Sequence, residues 1–308
     1  MGICVAAYAA LVWRFWYVCD DAFISFRFAR NWTRGFGLRF NPTEVTPVEG
    51  FTNFLWVAVC AVLERVALDV TLWAPVLSAA CGVALLLRVW RTLTVELRLD
   101  PLAAFLAALA LACFPPFALW STSGLETMPF ALCVYLGFEQ LTRRSGARRP
   151  AWTAIAAAAI VLMRADGIFW ALALTGCVWI GEARVGRGDR RTLVIFAAAA
   201  LATIGLYAAW RYAYFGDLVP NTARAKVGLS VLSMQRGVAY VTGFWATFVT
   251  PALLLFGGIL AVVRGTRRAL MTTLLLLCWV PVCAAVLQGG DYMPMGGHWS
   301  PDSRSIRC

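Results

Sequence analysis

Residues 192–214 read TLVIFAAAALATIGLYAAWRYAY. The run is longer than the ~20 apolar residues an α-helix needs to cross a bilayer core. Arg190 and Arg191 precede it, and a polar knot, Phe215 to Lys226, follows it. The same alternation recurs outward in both directions. Apolar segments near 101–119, 126–141, 151–163, 167–181, 238–263 and 269–287 each end in a short polar stretch. These segments are expected to span, because only a helix satisfies its own backbone hydrogen bonds in hydrocarbon. The whole chain is 61% hydrophobic and 14% charged, with a mean hydropathy of +0.73. That composition places it among all-α polytopic membrane bundles rather than soluble domains.

A net charge of +11 could mean nucleic-acid binding, but its distribution argues against that. The arginines cluster in short loops: Arg143, Arg144, Arg148 and Arg149; Arg184, Arg187, Arg190 and Arg191; Arg264, Arg267 and Arg268. This is the bias of cytoplasmic loops. Alternating from there, 121–126, 164–166, 215–226 and 288–293 fall on the outer face. The early half is less regular. Loop 20–50 is expected outside and Arg88–Arg98 inside, yet two apolar stretches, 51–66 and 71–90, lie between. One of the two is therefore re-entrant or interfacial. The opening stretch, Met1 to Val18, is short for a span and interrupted by Arg14. It reads as a signal anchor or as the tail of a helix that starts earlier.

Several chemistries are excluded by composition. The ten cysteines are scattered, mostly in apolar segments, without a C-x-x-C pair. Neither a zinc site nor a disulfide framework is indicated. The single histidine is His298, so His-dependent hydrolysis and His-ligated zinc are improbable.

The acids carry the informative pattern. Of the 16 acidic residues, Asp20, Asp21, Glu44, Glu49, Glu126, Asp166, Asp217 and Asp291 map to the expected outer face. Acids are costly near lipid and usually face a wet cavity or a partner, so a carboxylate-lined cavity is expected. Asp20-Asp21 is the leading candidate for chemistry, since adjacent carboxylates ionise together only with a cation or donor between them. The competing role is a helix cap. Phe23, Phe26, Arg27 and Arg30 follow at helical spacing, which predicts a short amphipathic helix at the membrane surface.

Other motifs have two readings each. Ser123-Gly124-Leu125-Glu126 fits a capping box, or presents Glu126 to the cavity. Arg164-Ala165-Asp166-Gly167 is a turn with a local ion pair, or a phosphate-holding guanidinium. Arg224 and Lys226 snorkel at the interface, or contact the phosphate of a lipid carrier. Gly289-Gly290-Asp291 is an exit turn, or a place where backbone approaches a ligand closely.

Taken together, the motifs resemble a known superfamily. They are Asp20-Asp21-Ala22-Phe23-Ile24-Ser25-Phe26-Arg27-Phe28-Ala29-Arg30-Asn31, Asn41-Pro42, Val48-Glu49-Gly50-Phe51-Thr52-Asn53-Phe54-Leu55-Trp56, Ser123-Gly124-Leu125-Glu126-Thr127, Arg164-Ala165-Asp166-Gly167, Phe215-Gly216-Asp217-Leu218-Val219-Pro220-Asn221-Thr222 and Gly289-Gly290-Asp291-Tyr292-Met293-Pro294. In this order the chain resembles the GT-C glycosyltransferases, and among them the mycobacterial-type terminal arabinofuranosyltransferases.

The resemblance implies a multi-pass enzyme of the bacterial plasma membrane with its active site facing outward. Such an enzyme moves a sugar from a polyprenyl-phosphate donor to a glycan or glycolipid acceptor of the cell envelope. It implies Asp20 and Asp21 as catalytic residues, with Asp20 as general base. It also implies a divalent cation that the pair could hold. Glu49, Glu126, Arg164, Asp166, Asp217, Arg224, Lys226 and Asp291 are then the candidate substrate contacts. Residues 1–294 form the expected catalytic core. The polar stretch 295–308 departs from the family, which continues with an Arg-aromatic step and further spans, so truncation or a frameshift is expected there. The rival classes are a catalytically inactive membrane scaffold and a lipid or sugar transporter, the latter disfavoured because no inverted repeat is seen.

Overall fold

The structure, a computed structural model, describes residues 1–142, 150–183, 190–218, 230–248, 256–257, 259–260, 262–264 and 267–290. Every regular element among them is helical. In chain order these are α1 (Gly2–Arg14), α2 (Asp20–Thr33), α3 (Phe54–Arg65), α4 (Val70–Arg91), a π-helical turn (Thr92–Glu96) and α5 (Pro101–Ala112). Then come α6 (Pro115–Leu119), α7 (Thr127–Thr142), α8 (Pro150–Met163), α9 (Gly167–Ala183), α10 (Arg190–Phe215), α11 (Val231–Thr247) and α12 (Arg268–Gln288).

Local chemistry sets several helix starts. The Asp69 carboxylate accepts from Thr71 N at 2.9 Å and opens α4. Asp100 accepts from Leu102 N and Ala103 N, with Pro101 at the first helical position, where its missing N–H costs nothing. Ser230 and Ser233 cap α11 reciprocally.

Among the described residues, three helical stretches are long and apolar enough to cross a membrane: Val70–Glu96, Arg190–Phe215 and Arg268–Leu287. On that ground the chain is a membrane protein. Helices α7, α8 and α9 match the expected segments 126–141, 151–163 and 167–181 to within two residues at each end, with 16, 14 and 17 described residues. Helix α5 has only 12 residues, ~18 Å, below the ~30 Å hydrocarbon core. The expected single helix over 101–119 is broken at Cys113 and Phe114, because Pro115-Pro116 cannot continue the hydrogen-bond ladder. The expected span 238–263 begins earlier, at Val231, and most of its second half lies outside the described residues. Between 51 and 91 the ambiguity is removed. Helix α3 has only 12 residues, ~18 Å, so it is the stretch too short to cross, while α4 is long enough.

The chain divides into two compact units. The first comprises Met1–Leu172 and Arg191–Ala223. Its core gathers α1, α4, α5, α6 and α7 around Tyr8, Leu86, Ala108, Ala118 and Met128. The Tyr8 hydroxyl donates to the Ala79 carbonyl at 3.2 Å and shares a 2.6 Å hydrogen bond with Ser121 Oγ. Ala104, Ala108 and Ala112 are fully buried one turn apart, and this small-residue face lets α5 pack closely on its neighbours. Glu139 of α7 is buried against Arg88 of α4, whose Nε donates to Oε2 at 3.1 Å.

The second unit comprises Ala173–Arg190 and Arg224–Cys308. Within it α11 packs along α12. Helix α12 ends at Gly289 and Gly290, both with positive φ (+82° and +78°). A Cβ on Gly290 would lie 2.7 Å from that of Tyr240. These glycines therefore stop α12 and admit α11, which accounts for them without a ligand.

Candidate functional site

Helix α2 opens at the aspartates. Cys19 is its N-cap residue, with extended backbone, and its N–H donates to Ser123 O at 3.0 Å. Asp20 and Asp21 thus occupy the first turn rather than the cap itself, where their charge complements the helix dipole. Asp20 is exposed, and its Oδ1 accepts from Asp21 N at 3.0 Å. Burial pushes the neighbouring Cys19 thiol up, and the charges of Asp21 and Asp20 add to that.

One face of α2 turns inward. Ala22, Ser25, Phe26 and Ala29, at helical spacing, are all buried. The Phe23 and Phe26 rings touch edge to face at 5.6 Å, but only Phe26 is buried. Phe23 is 51% exposed and shares the outer face with Arg27 and Arg30. The amphipathic helix exists, but Ala22, Ser25 and Ala29, not Phe23, line its inner side.

Ser25 opens a buried polar chain. Its Oγ donates to Asn53 Oδ1 at 3.2 Å. Asn53 Nδ2 donates to Glu126 Oε2 at 2.7 Å. Glu126 Oε1 stands 3.5 Å from Arg164 Nη1, and Arg164 Nε donates to Asp166 Oδ1 at 2.9 Å. The Arg164 guanidinium also lies over the Phe130 ring, 5.3 Å from its centroid. The local ion pair of the Arg164 turn is present and continues inward to Glu126.

The loop before α7 is pinned against α2. Gly124 has φ +81°, and a Cβ there would sit 2.8 Å from that of Ala22. Only glycine supplies both the conformation and the space. Trp56 Nε1 donates to the Gly124 carbonyl at 2.9 Å from the other side. The capping-box reading of Ser123 to Glu126 is not what forms. Helix α7 begins at Thr127, and Ser123 Oγ instead donates to Trp120 O and accepts from Leu125 N. Glu126 turns inward because Asn53 and Arg164 offer it donors that an exposed cap would lack.

Glu49 forms the second cluster. It is buried, with Arg211 Nε and Nη2 both 2.7 Å from Oε2 and the Tyr207 hydroxyl donating to Oε1 at 3.0 Å. Desolvation raises the Glu49 pKa, Arg211 opposes that shift, and the charge of Asp217 adds to it. Asp217 is thus within electrostatic reach of Glu49. Arg211 and Tyr207 were not among the sequence candidates. The available signal was an arginine inside the apolar run 192–214, where a charge needs a partner.

The expected acids therefore separate into two groups. Glu126, Arg164 and Asp166 connect through Asn53 and Ser25 to the helix that Asp20 and Asp21 begin. Glu49 joins Arg211, with Asp217 near. Glu44 lies apart, accepting from Asn41 Nδ2 at 2.8 Å. Arg224, Lys226, Asp291 and the stretch 295–308 lie outside the described residues. Among the described residues no three of His, Cys, Asp or Glu are disposed to hold a metal ion. Asp20 and Asp21 are hard oxygen donors of the kind Mg²⁺ or Mn²⁺ takes singly or in pairs, with water and phosphate completing the shell. An apolar cleft of about 200 Å³ lies apart from both clusters, lined by Tyr8, Val12, Trp13, Trp16, Ala79 and Val83.

No family model matches this sequence, and neither a curated protein nor a solved structure matches it.

Proposed function

We propose that the chain is a membrane glycosyltransferase of GT-C type. In this reading it transfers a sugar from a polyprenyl-phosphate donor to a cell-envelope acceptor on the outer face of a bacterial plasma membrane. The observation that carries the reading is the linkage of Asp166, Arg164, Glu126, Asn53 and Ser25, with Ser25 one helical turn beyond Asp21. Polar groups from three distant stretches link to one helix whose first turn holds two carboxylates. In a chain whose described residues include three helices long and apolar enough to cross a membrane, a buried polar assembly of this kind is a functional-site candidate by default.

The chemistry follows from the residue types. Asp20 takes the proton of the acceptor hydroxyl as the acceptor oxygen bonds to the anomeric carbon. The bond from that carbon to the donor phosphate oxygen breaks, and its electron pair leaves with the phosphate. One base opposite a phosphate leaving group suffices, and no histidine is needed. A divalent cation at Asp20 or Asp21 would neutralise charge on that phosphate. Arg164, 37% exposed, has a side open to solvent from which it can meet a phosphate oxygen. Arg224 and Lys226 are proposed as further phosphate contacts and Asp291 as a substrate contact.

The deciding experiment is transfer from a polyprenyl-phosphate sugar in membranes carrying the parent chain, Asp20→Asn or Asp21→Asn. Activity in the parent that both variants retain in full would overturn the assignment.

A further inference from the structure

The segment 49–53 touches more of the first unit than its length requires. Glu49 is gripped by Arg211 and Tyr207 of α10. Gly50 lies against Phe28 of α2, where an added Cβ would meet the ring at 3.2 Å. Phe51 is buried between Phe28, at 4.8 Å, and Phe215 at the end of α10, at 6.3 Å. Asn53 bonds both Ser25 of α2 and Glu126. One short, non-helical piece of chain thus connects α10, α2 and the loop before α7.

The grip on Glu49 comes from one face of one helix. Tyr207, Arg211 and Tyr214 recur at helical spacing along α10. Tyr207 and Arg211 bind Glu49, and the Tyr214 hydroxyl accepts from Leu38 N at 2.9 Å. Trp210 stacks between Tyr207 and Tyr214, at 5.5 and 5.6 Å with planes within 21° and 20°, which stiffens the face. The buried Arg211 holds Glu49 through one charge-assisted hydrogen bond from Nε, with Nη2 at ion-pair distance from the same oxygen.

We propose that Arg211 and Tyr207 are positioning residues. Through Glu49 and the strut 49–53 they set the placement of Asn53, and hence of the Glu126 carboxylate, against the first turns of α2. Its bearing on catalysis rests on the transferase reading above; the mechanical coupling does not. Arg211 touches no reacting atom in this account.

Hydrogen exchange on the whole purified chain in detergent tests the coupling. Arg211→Ala is expected to speed exchange about tenfold or more in two places, peptides covering 49–57 and 121–127. Peptides from α5 should be unchanged. Arg211→Lys should restore most of the protection, and Tyr207→Phe, which keeps the ion pair, should give a smaller effect in the same two places. Acceleration confined to 207–215, or spread equally to α5, overturns the proposal. In the transfer assay Arg211→Ala should lower kcat about tenfold or more with donor KM within about twofold, and Arg211→Lys should recover it. A parent chain that transfers nothing sinks the transferase reading. The exchange pattern still decides the strut in that case.

Discussion

Asn53 Nδ2 donates to Glu126 Oε2 at 2.7 Å across 73 residues of sequence, and both side chains are buried. The same amide also meets Ser25 Oγ at 3.1 Å, so one asparagine joins α2 to the loop before α7. Replacing Asn53 by leucine strands a buried carboxylate oxygen. The expected cost is ~1–3 kcal/mol. Thermal unfolding in detergent should show a lower midpoint for Asn53→Leu than for Asn53→Gln, which keeps the donor. Equal midpoints for parent and leucine variant would show that the bond contributes nothing.

Asp20→Asn is expected to lower sugar transfer about 10²–10⁴-fold, the usual worth of a positioned general base. Membrane insertion should be unaffected, because Asp20 is exposed and asparagine keeps the acceptor that meets Asp21 N. Asp21→Asn should also impair transfer, through orientation of its neighbour or loss of a cation. Steady-state rates beside a membrane-fraction blot separate the two losses. Parental rates in both variants would reduce the pair to a favourable first helical turn.

Arg164 distinguishes a binding role from a structural one. Its pairs with Asp166 and Glu126 are part-exposed, so water screens them. Arg164→Ala should cost stability no more than about 1 kcal/mol. Donor KM should rise clearly, and Arg164→Lys should recover only part of it, since an ammonium lacks the planar fork. A large fall in unfolding midpoint with unchanged KM would assign Arg164 to the turn alone.

Glu49 provides a pH test. Its carboxyl is raised above the ordinary range because burial outweighs the pull of Arg211. The folded state therefore holds this proton more tightly than the unfolded state. Stability from this group is fully present below the unfolded pKa, about 4.3, and is lost as pH rises through the raised folded value. Arg211→Ala removes the opposing charge, so the pH at which the loss occurs should move upward. Unfolding midpoints over about pH 4–8 in both proteins check this. A downward move, or none, would contradict the pairing of the two side chains.

Much of the fold was legible because it is local. The run 192–214 becomes α10 since apolar length and helix formation depend on neighbouring residues. The helix after Asp20-Asp21 was legible for the same reason, as was its amphipathic character. Which of its faces turns inward was not read from the sequence, because Phe23 and Phe26 are the same residue type and only their neighbours in the fold separate the exposed one from the buried one. The break at Pro115-Pro116 was readable in principle, but the apolar stretch around it masked the proline signal.

By itself, then, the sequence determined an all-helical membrane chain, the excluded chemistries and a set of acids needing company. Tertiary structure decided which company. It showed that α3 is too short to cross and α4 is not, because helix ends depend on how loops pack. It turned Glu126 inward to Asn53 and Arg164 instead of leaving it as a cap. It joined Glu49 to an arginine 162 residues away, whose need for a partner the apolar run signals without saying which partner. Partnership across such distances is a matter of packing geometry and desolvation. Neither leaves a periodicity along the chain, so neither could be read from it.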